Sequence, residues 1–251
     1  MTEDLTRDAF LGGRLHLWQP RRGYRAGVDP VLLAASLPLA AGQSLLDLGC
    51  GVGTAMLCAA TRVPGVAVTG VEVQGDYAAL ARRNAQEAGI AADVHDADLT
   101  NLPVTLRQRQ FDHVIMNPPY FERTRGARAS DAGRDTGRGG DTPLGAWLDA
   151  GIRRTAPGGW LSVIQQTGRL DEVLAALHGR LGSVIVQPLS ARTDRDPHLA
   201  IVRAKLGGRA AFRLLAPLIL HAGGTHNHDG DDYMPVIASA LRDGKKLPVG
   251  D

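Results

Sequence analysis

Nowhere in these 251 residues do 18 apolar residues run without interruption, which excludes a membrane-spanning helix. Only two cysteines occur, Cys50 and Cys58; they make no disulfide framework and no zinc pair, and both read as small apolar fillers. Lysine is scarce, with Lys205, Lys245 and Lys246 against a total of 28 basic residues, and the net charge is only +2. The chain is therefore not generally sticky toward polyanions, and any nucleic-acid binding has to come from local patches. No internal repeat and no dividing linker is visible, so the 44% hydrophobic content predicts one domain with a full core. The start, Met1-Thr2-Glu3-Asp4, is acidic rather than signal-like, and the expected location is the cytoplasm.

What is present is an alternation of short apolar strands and helical patterns, which predicts a doubly wound α/β sheet. Strands are expected at Ser44–Leu48, Ala67–Val73, Asp93–His95, Phe111–Met116, Trp160–Gln165, Ser183–Pro188 and Leu199–Ala204. Helices are expected near Pro30–Leu37, Thr54–Thr61, Asp76–Ala88, Leu144–Thr155, Leu170–Gly179 and Tyr233–Arg242, with Ala156-Pro157-Gly158-Gly159 as a stop and turn. Asp29 before Pro30 reads as a helix N-cap.

The first expected strand runs into Asp47-Leu48-Gly49-Cys50-Gly51-Val52-Gly53-Thr54. Three glycines at alternate positions let the backbone turn sharply and a ligand come close. Glu72, ending the next strand, follows at roughly the 20-residue distance that suits an acid gripping a ribose diol. The spacing is G-x-G-x-G, not the G-x-G-x-x-G of a dinucleotide site, and Asp47 on the strand would repel a pyrophosphate. A ligand carrying an amino group and a sulfonium would be attracted instead, which favours S-adenosyl-L-methionine over NAD. Asp47 either fixes the loop or meets the cofactor's amino group.

A second motif, Asn117-Pro118-Pro119-Tyr120, follows the apolar strand Phe111–Met116. At the carboxyl edge of an open sheet, two prolines keep the chain extended and its carbonyls out of a helix. Asn117 and the Pro118 carbonyl then offer acceptors to one incoming amine, and Tyr120 offers a flat face for a ring.

Loop, Glu72 and tetrad in this order resemble the class I S-adenosylmethionine-dependent methyltransferases, in the branch whose N/D-P-P-Y/F/W tetrad acts on exocyclic or amide nitrogens. Gly23 to Leu33, Asn117 to Phe121, Thr142 to Leu148 and Leu214 to His221 are similar to the bacterial tRNA(Val) (adenine-N6)-methyltransferase subfamily. The chain departs from it at His198-Leu199, where the subfamily often carries a basic pair. The resemblance implies a Rossmann-like, seven-stranded, mostly parallel sheet with an antiparallel hairpin at its edge. It implies methylation of adenine N6 in the anticodon loop of a tRNA, with S-adenosyl-L-methionine as cofactor. Residues 1–42 are expected as an extension packing on the core, and residues 121–142 as a flexible loop beside the site.

On this reading Asn117, Pro118, Pro119 and Tyr120 carry the chemistry. Asp47, Gly49, Cys50, Gly51, Gly53, Glu72, Val73, Asp98, Leu99 and Asn117 hold the cofactor. Asp96 and Asp98 both suit the adenine amine; the resemblance selects Asp98 and leaves the other as a helix cap. Beside its cap role, the resemblance also gives Asp29 a second candidate role near the methionine end of the cofactor. Arg25, Tyr120, Phe121, Arg123 and Arg125 are expected to meet the substrate, the arginines through RNA phosphate. No metal is expected: methyl transfer needs none, and His221 with the run His226 to Asp232 reads as a turn before a helix. A protein-glutamine N5-methyltransferase shares the tetrad but carries an N-terminal helical domain, for which Ser44 comes too early. A catalytically idle cofactor- or RNA-binding module would not need Asn117 and two prolines at that edge.

Overall fold

A computed structural model of the chain describes residues 4–120, 142–223 and 232–250. Leu5–Phe10 (β1) and Leu15–Pro20 (β2) pair as an antiparallel hairpin, and α1 (Asp29–Ser36) follows. The first half of the sheet then comes from β3 (Ser44–Leu48), α2 (Thr54–Arg62), β4 (Ala67–Glu72), α3 (Gly75–Glu87), β5 (Ala92–Asp96), α4 (Val104–Arg107) and β6 (Phe111–Met116). The second half comes from α5 (Leu144–Arg154), β7 (Thr155–Gln166), α6 (Leu170–Leu177), β8 (Gly182–Ser190) and β9 (Leu199–Lys205). Two short strands, β10 (Arg213–Leu214) and β11 (Leu218–Ile219), and helix α7 (Pro235–Asp243) complete it.

The strand order is β10-β8-β9-β7-β6-β3-β4-β5, with β11 also pairing β8. From β7 to β5 all pairs are parallel, while β9 runs antiparallel to both β7 and β8. Side chains alternate across each strand, so Leu45, Ile115, Ile164 and Ile201 pack on the face covered by α1, α2 and α7. Leu46, Val114, Val163 and Val202 pack on the other face, under α5 and α6. Strands buried on both faces have to be apolar throughout, which is why their runs were readable.

The seven expected strands all form, and the last two pair antiparallel. Their outer edge is not bare, however: β10 and then β11 lie parallel along β8, making nine strands. Ala156 to Gly159 do not separate α5 from the next strand; they bulge out within β7 between the pairs Phe111–Thr155 and His113–Trp160. The β1–β2 hairpin was not expected. Its anchor is Asn84 on α3, fully buried, which accepts from the Trp18 N–H (2.7 Å) and donates to the carbonyls of Trp18 (3.1 Å) and Val52 (2.9 Å). One amide thus ties the hairpin to the glycine loop. The Trp18 indole N–H donates to Glu87, and the Arg83 guanidinium lies 4.2 Å from the ring centroid.

Candidate active site

The chain goes from β3 by way of α2 to β4 on one side, and later sets β6 on the other side of β3. Between the carboxyl ends of β3 and β6 the connections diverge, and there a crevice opens. The glycine loop leaves β3 at this point and the tetrad leaves β6. Leu48 pairs with Met116 and with Val71, so Gly49, Asn117 and Glu72 stand at one level.

Gly49, Gly51 and Gly53 all have positive φ (69°, 56° and 89°), as the loop required. At Gly49 the need is double, because an added Cβ would stand 2.3 Å from Cη2 of Trp147 on α5. The benzo side of the indole therefore closes against the loop backbone at Gly49. Gly51 is open by comparison: its added Cβ would meet only Tyr24 Cε1, at 3.9 Å. Tyr24 is 54% exposed at this mouth, and its carbonyl accepts the Tyr77 hydroxyl (3.1 Å).

Asp47 is 3% exposed and accepts the Met56 N–H at 3.2 Å, capping α2 from the end of β3. Of its two expected roles, this geometry supports fixing the loop. Burial pushes its carboxyl up to about 8, against the Met56 N–H and with help from the Glu72 charge. Glu72 is 6% exposed; one carboxylate oxygen accepts the Gly51 N–H (2.9 Å) and the other the Gln74 N–H (2.9 Å). Burial raises its pKa, opposed by these N–H groups and that of Val73. Glu72 thus braces the loop. Cys50 is a buried free thiol, pushed well above the usual range by burial, so within the loop only its backbone is placed to meet a ligand.

The other expected residues divide. Asp98 Oδ1 accepts from the Thr100 N–H and hydroxyl (2.8 Å each), so the cap that was assigned to its rival is its own; Asp96 follows at the end of β5. Leu99 is buried beside it. Arg25 is committed to the hairpin rather than offered to a phosphate: it donates to Thr6 Oγ1, the Pro20 carbonyl and, at 2.6 Å, Asp8. Phe121, Arg123 and Arg125, and the run His226 to Asp231, lie outside the described residues. His221 and Asp232 form a pair at 2.6 Å, and Arg192 adds its guanidinium at 2.7 Å, holding the Asp232 carboxyl down at about 2.

In the tetrad the peptide bonds are trans, Pro118 is buried and Asn117 half-buried. No described residue is recorded as a hydrogen-bond partner of the Asn117 amide. Tyr120 donates its hydroxyl to Asp29 at 2.6 Å. This corrects the expectation for Asp29: Val28 is the N-cap of α1, and the Asp29 carboxylate makes no cap bond. Tyr24 and Trp147 are the residues sequence reasoning left without a role here. Tyr24 sits in the segment before the fold, and only the three-dimensional contact reveals its place.

The crevice fits a cationic, diol-bearing ligand. Asp29, Asp47 and Glu72 enter no ion pair among the described residues; burial keeps the Asp47 carboxyl protonated up to about pH 8 and raises that of Glu72, and a cation bound at the loop would draw both toward the carboxylate. Two buried polar atoms beside it, Thr54 Oγ1 and Trp147 Nε1, lack partners among the described residues. Such a ligand should depend on Glu72. Glu72→Ala is expected to raise the Kd for S-adenosylhomocysteine about 10–100-fold by calorimetry, leaving turnover at saturating cofactor nearly intact.

Comparison with known proteins agrees with this geometry. The family model described as methyltransferase small domain matches residues 26–131. A tRNA1(Val) (adenine(37)-N6)-methyltransferase of Shewanella sp. (strain MR-4) is 34% identical over 177 residues, spanning 68% of this chain and 72% of that protein. A crystal structure of a predicted O-methyltransferase from Agrobacterium tumefaciens superposes with a TM-score of 0.69 at 27% identity, over 87% of this chain and 97% of its own. The 16S rRNA N2 G1207 methyltransferase of T. thermophilus, solved with AdoMet and guanosine, shares the fold with a TM-score of 0.54 at 18% identity, over 80% of this chain and 50% of its own.

Proposed function

Because the chain belongs to the family of the tRNA1(Val) (adenine(37)-N6)-methyltransferases, we propose that it methylates N6 of adenine 37 in a valine tRNA, using S-adenosyl-L-methionine. The observation that carries this reading is the meeting of a glycine loop braced by Asp47 and Glu72 with Asn117-Pro118-Pro119 where β3 and β6 part. Bound S-adenosyl-L-methionine supplies an electrophilic methyl group on a sulfonium. Asp47, Glu72 and the loop glycines hold it, with Val73 and Leu99 beside the nucleoside.

The tetrad handles the acceptor. An exocyclic amine has two hydrogens to give, one to the Asn117 side-chain carbonyl and one to the Pro118 carbonyl. Both bonds draw its lone pair out of conjugation with the ring and fix its direction, which is a matter of orientation. One N–C bond forms as one S–C bond breaks, and the extra proton on nitrogen passes to water, so no strong base is needed. A hydroxyl acceptor has one hydrogen and gains from a base, which makes the tetrad better suited to nitrogen. Tyr120 serves as the face on which the extruded adenine stacks. A glutamine side-chain amide could use the same acceptors, but the relatives matched across two thirds of the chain act on tRNA.

Among the described residues no helix is long and apolar enough to cross a membrane. The proposed tRNA substrate supports a cytoplasmic location. The test is transfer of labelled methyl groups to total tRNA lacking the modification, followed by nucleoside analysis. Label is expected as N6-methyladenosine in a valine tRNA. Cofactor binding without label on RNA would overturn this reading and direct the search to protein amides.

A further inference from the structure

Asp29 and Tyr120 stand 91 positions apart in sequence, yet their side chains share one of the shorter hydrogen bonds of the site, at 2.6 Å. The residue before a helix proline normally turns its carboxylate onto the helix N–H groups, but Asp29 turns it away. A carboxylate acceptor makes a shorter and stronger bond than a neutral one. Tyr120 itself follows two prolines and is half-buried against the core cluster that includes α1, and its hydroxyl is held by Asp29.

The element that carries Asp29 is unusually well held. Every residue of α1 from Pro30 to Ser36 is buried. At its far end, Arg62 donates to the carbonyls of Ala34 and Leu37 (2.9 Å each), and Arg203 donates to the Ser36 carbonyl (3.0 Å). Two guanidinium groups at a helix C-terminus satisfy its last carbonyls and suit its dipole. Arg203 also donates to the Val249 carbonyl (2.7 Å), so the final segment of the chain secures the same helix. Asp29 thus sits at the start of a helix held at its far end by α2 and β9.

We propose that Asp29 is a positioning residue, a latch that sets the plane of the Tyr120 ring against which the acceptor base stacks. The latch rests on the function proposed above, because it gives Tyr120 the adenine-stacking role. It acts on the substrate side alone: the contact engages the tetrad, whereas the cofactor is gripped by Asp47, Glu72 and the loop. Burial and the Asp29 charge both raise the Tyr120 pKa, so the phenol remains a donor.

The test uses Asp29→Ala, Asp29→Asn, Tyr120→Phe and the Asp29→Ala/Tyr120→Phe pair in the full chain. Each single loss should lower kcat on tRNA about tenfold through misplacement of the base. The pair should be no worse than the poorer single, because both remove one bond. Asp29→Asn keeps an acceptor and should recover most of the rate, and S-adenosylhomocysteine affinity should stay within about twofold throughout. NMR of protein labelled at tyrosine Cζ, with four tyrosines to resolve, reads the latch without substrate. The signal missing in Tyr120→Phe should move in Asp29→Ala. Loss of cofactor affinity in Asp29→Ala, multiplied defects in the pair, or an unmoved signal would overturn the proposal. A wild-type protein silent on tRNA would overturn the function instead, and the tyrosine spectrum would still decide the bond.

Discussion

Asn117→Ala is expected to lower kcat on tRNA at least ~100-fold, and as much as ~1000-fold, while the Kd for S-adenosylhomocysteine stays within about twofold. The amide stands next to Met116, whose backbone is in register with Leu48, so it faces the start of the glycine loop without being part of it. Its carbonyl is needed most when the amine lone pair leaves the adenine ring, which happens on the way to the transition state and not in the bound ground state. Removing such a group lowers kcat and kcat/KM together and leaves binding alone. No described residue shares a hydrogen bond with the Asn117 side chain, so its truncation breaks no recorded structural bond. Asn117→Asp keeps an acceptor at the same place and should retain more activity than alanine. Single-turnover transfer with calorimetry on the same samples separates the two quantities. A loss of cofactor affinity with turnover preserved would remove Asn117 from the chemistry.

What could be read from the chain depended on how local each cause was. The buried strands were legible because parallel strands covered on both faces are dominated by apolar residues, as Leu45, Leu46, Leu48 and Val114–Met116 show, with Asp47 the functional exception. The glycine loop was legible because its backbone angles exclude side chains, and Gly49, Gly51 and Gly53 indeed have positive φ. The β1–β2 hairpin was not, since β1 alternates only weakly in burial and the docking of β2 rests on Asn84, far along the chain. β10 and β11 escaped for another reason: two-residue strands carry no period, and only the exposed edge of β8 makes them strands. Arg25 looked like a phosphate ligand because Asp8, its partner, is brought near only by that same hairpin. Asp29 looked like a cap for the same reason, as its true partner lies on the far motif. Roles set by pairs distant in sequence are invisible to spacing, and in this site they decide which acid faces cofactor and which faces substrate.

That division of acids leads to a pH dependence with a definite sign. Asp47 has its carboxyl raised from 3.8 to about 8 in the folded protein, chiefly by burial. Between those values the native state holds a proton that the unfolded chain has released, so this group's contribution to stability falls as pH rises from about 4 to 8. A cation bound beside the loop reverses the preference, because it favours the ionised carboxylate. Below pH 8, then, binding of S-adenosyl-L-methionine has to expel a proton from Asp47. Its Kd should weaken as pH falls, with a slope approaching tenfold per unit and a total of up to about 100-fold between pH 8 and pH 6. Above pH 8 the profile should flatten. S-adenosylhomocysteine, which lacks the sulfonium charge, should show a shallower slope. Asp47→Asn retains an oxygen for the Met56 N–H, so it should fold, melt higher than wild type at pH 8, and lose most of the slope for both ligands. Glu72, raised in the same direction, accounts for any slope that remains. Calorimetry in buffers of differing ionisation enthalpy counts the protons directly. Proton release below pH 8 that vanishes in Asp47→Asn assigns the linkage to this carboxylate; a Kd indifferent to pH would mean that the cofactor's charge does not reach it.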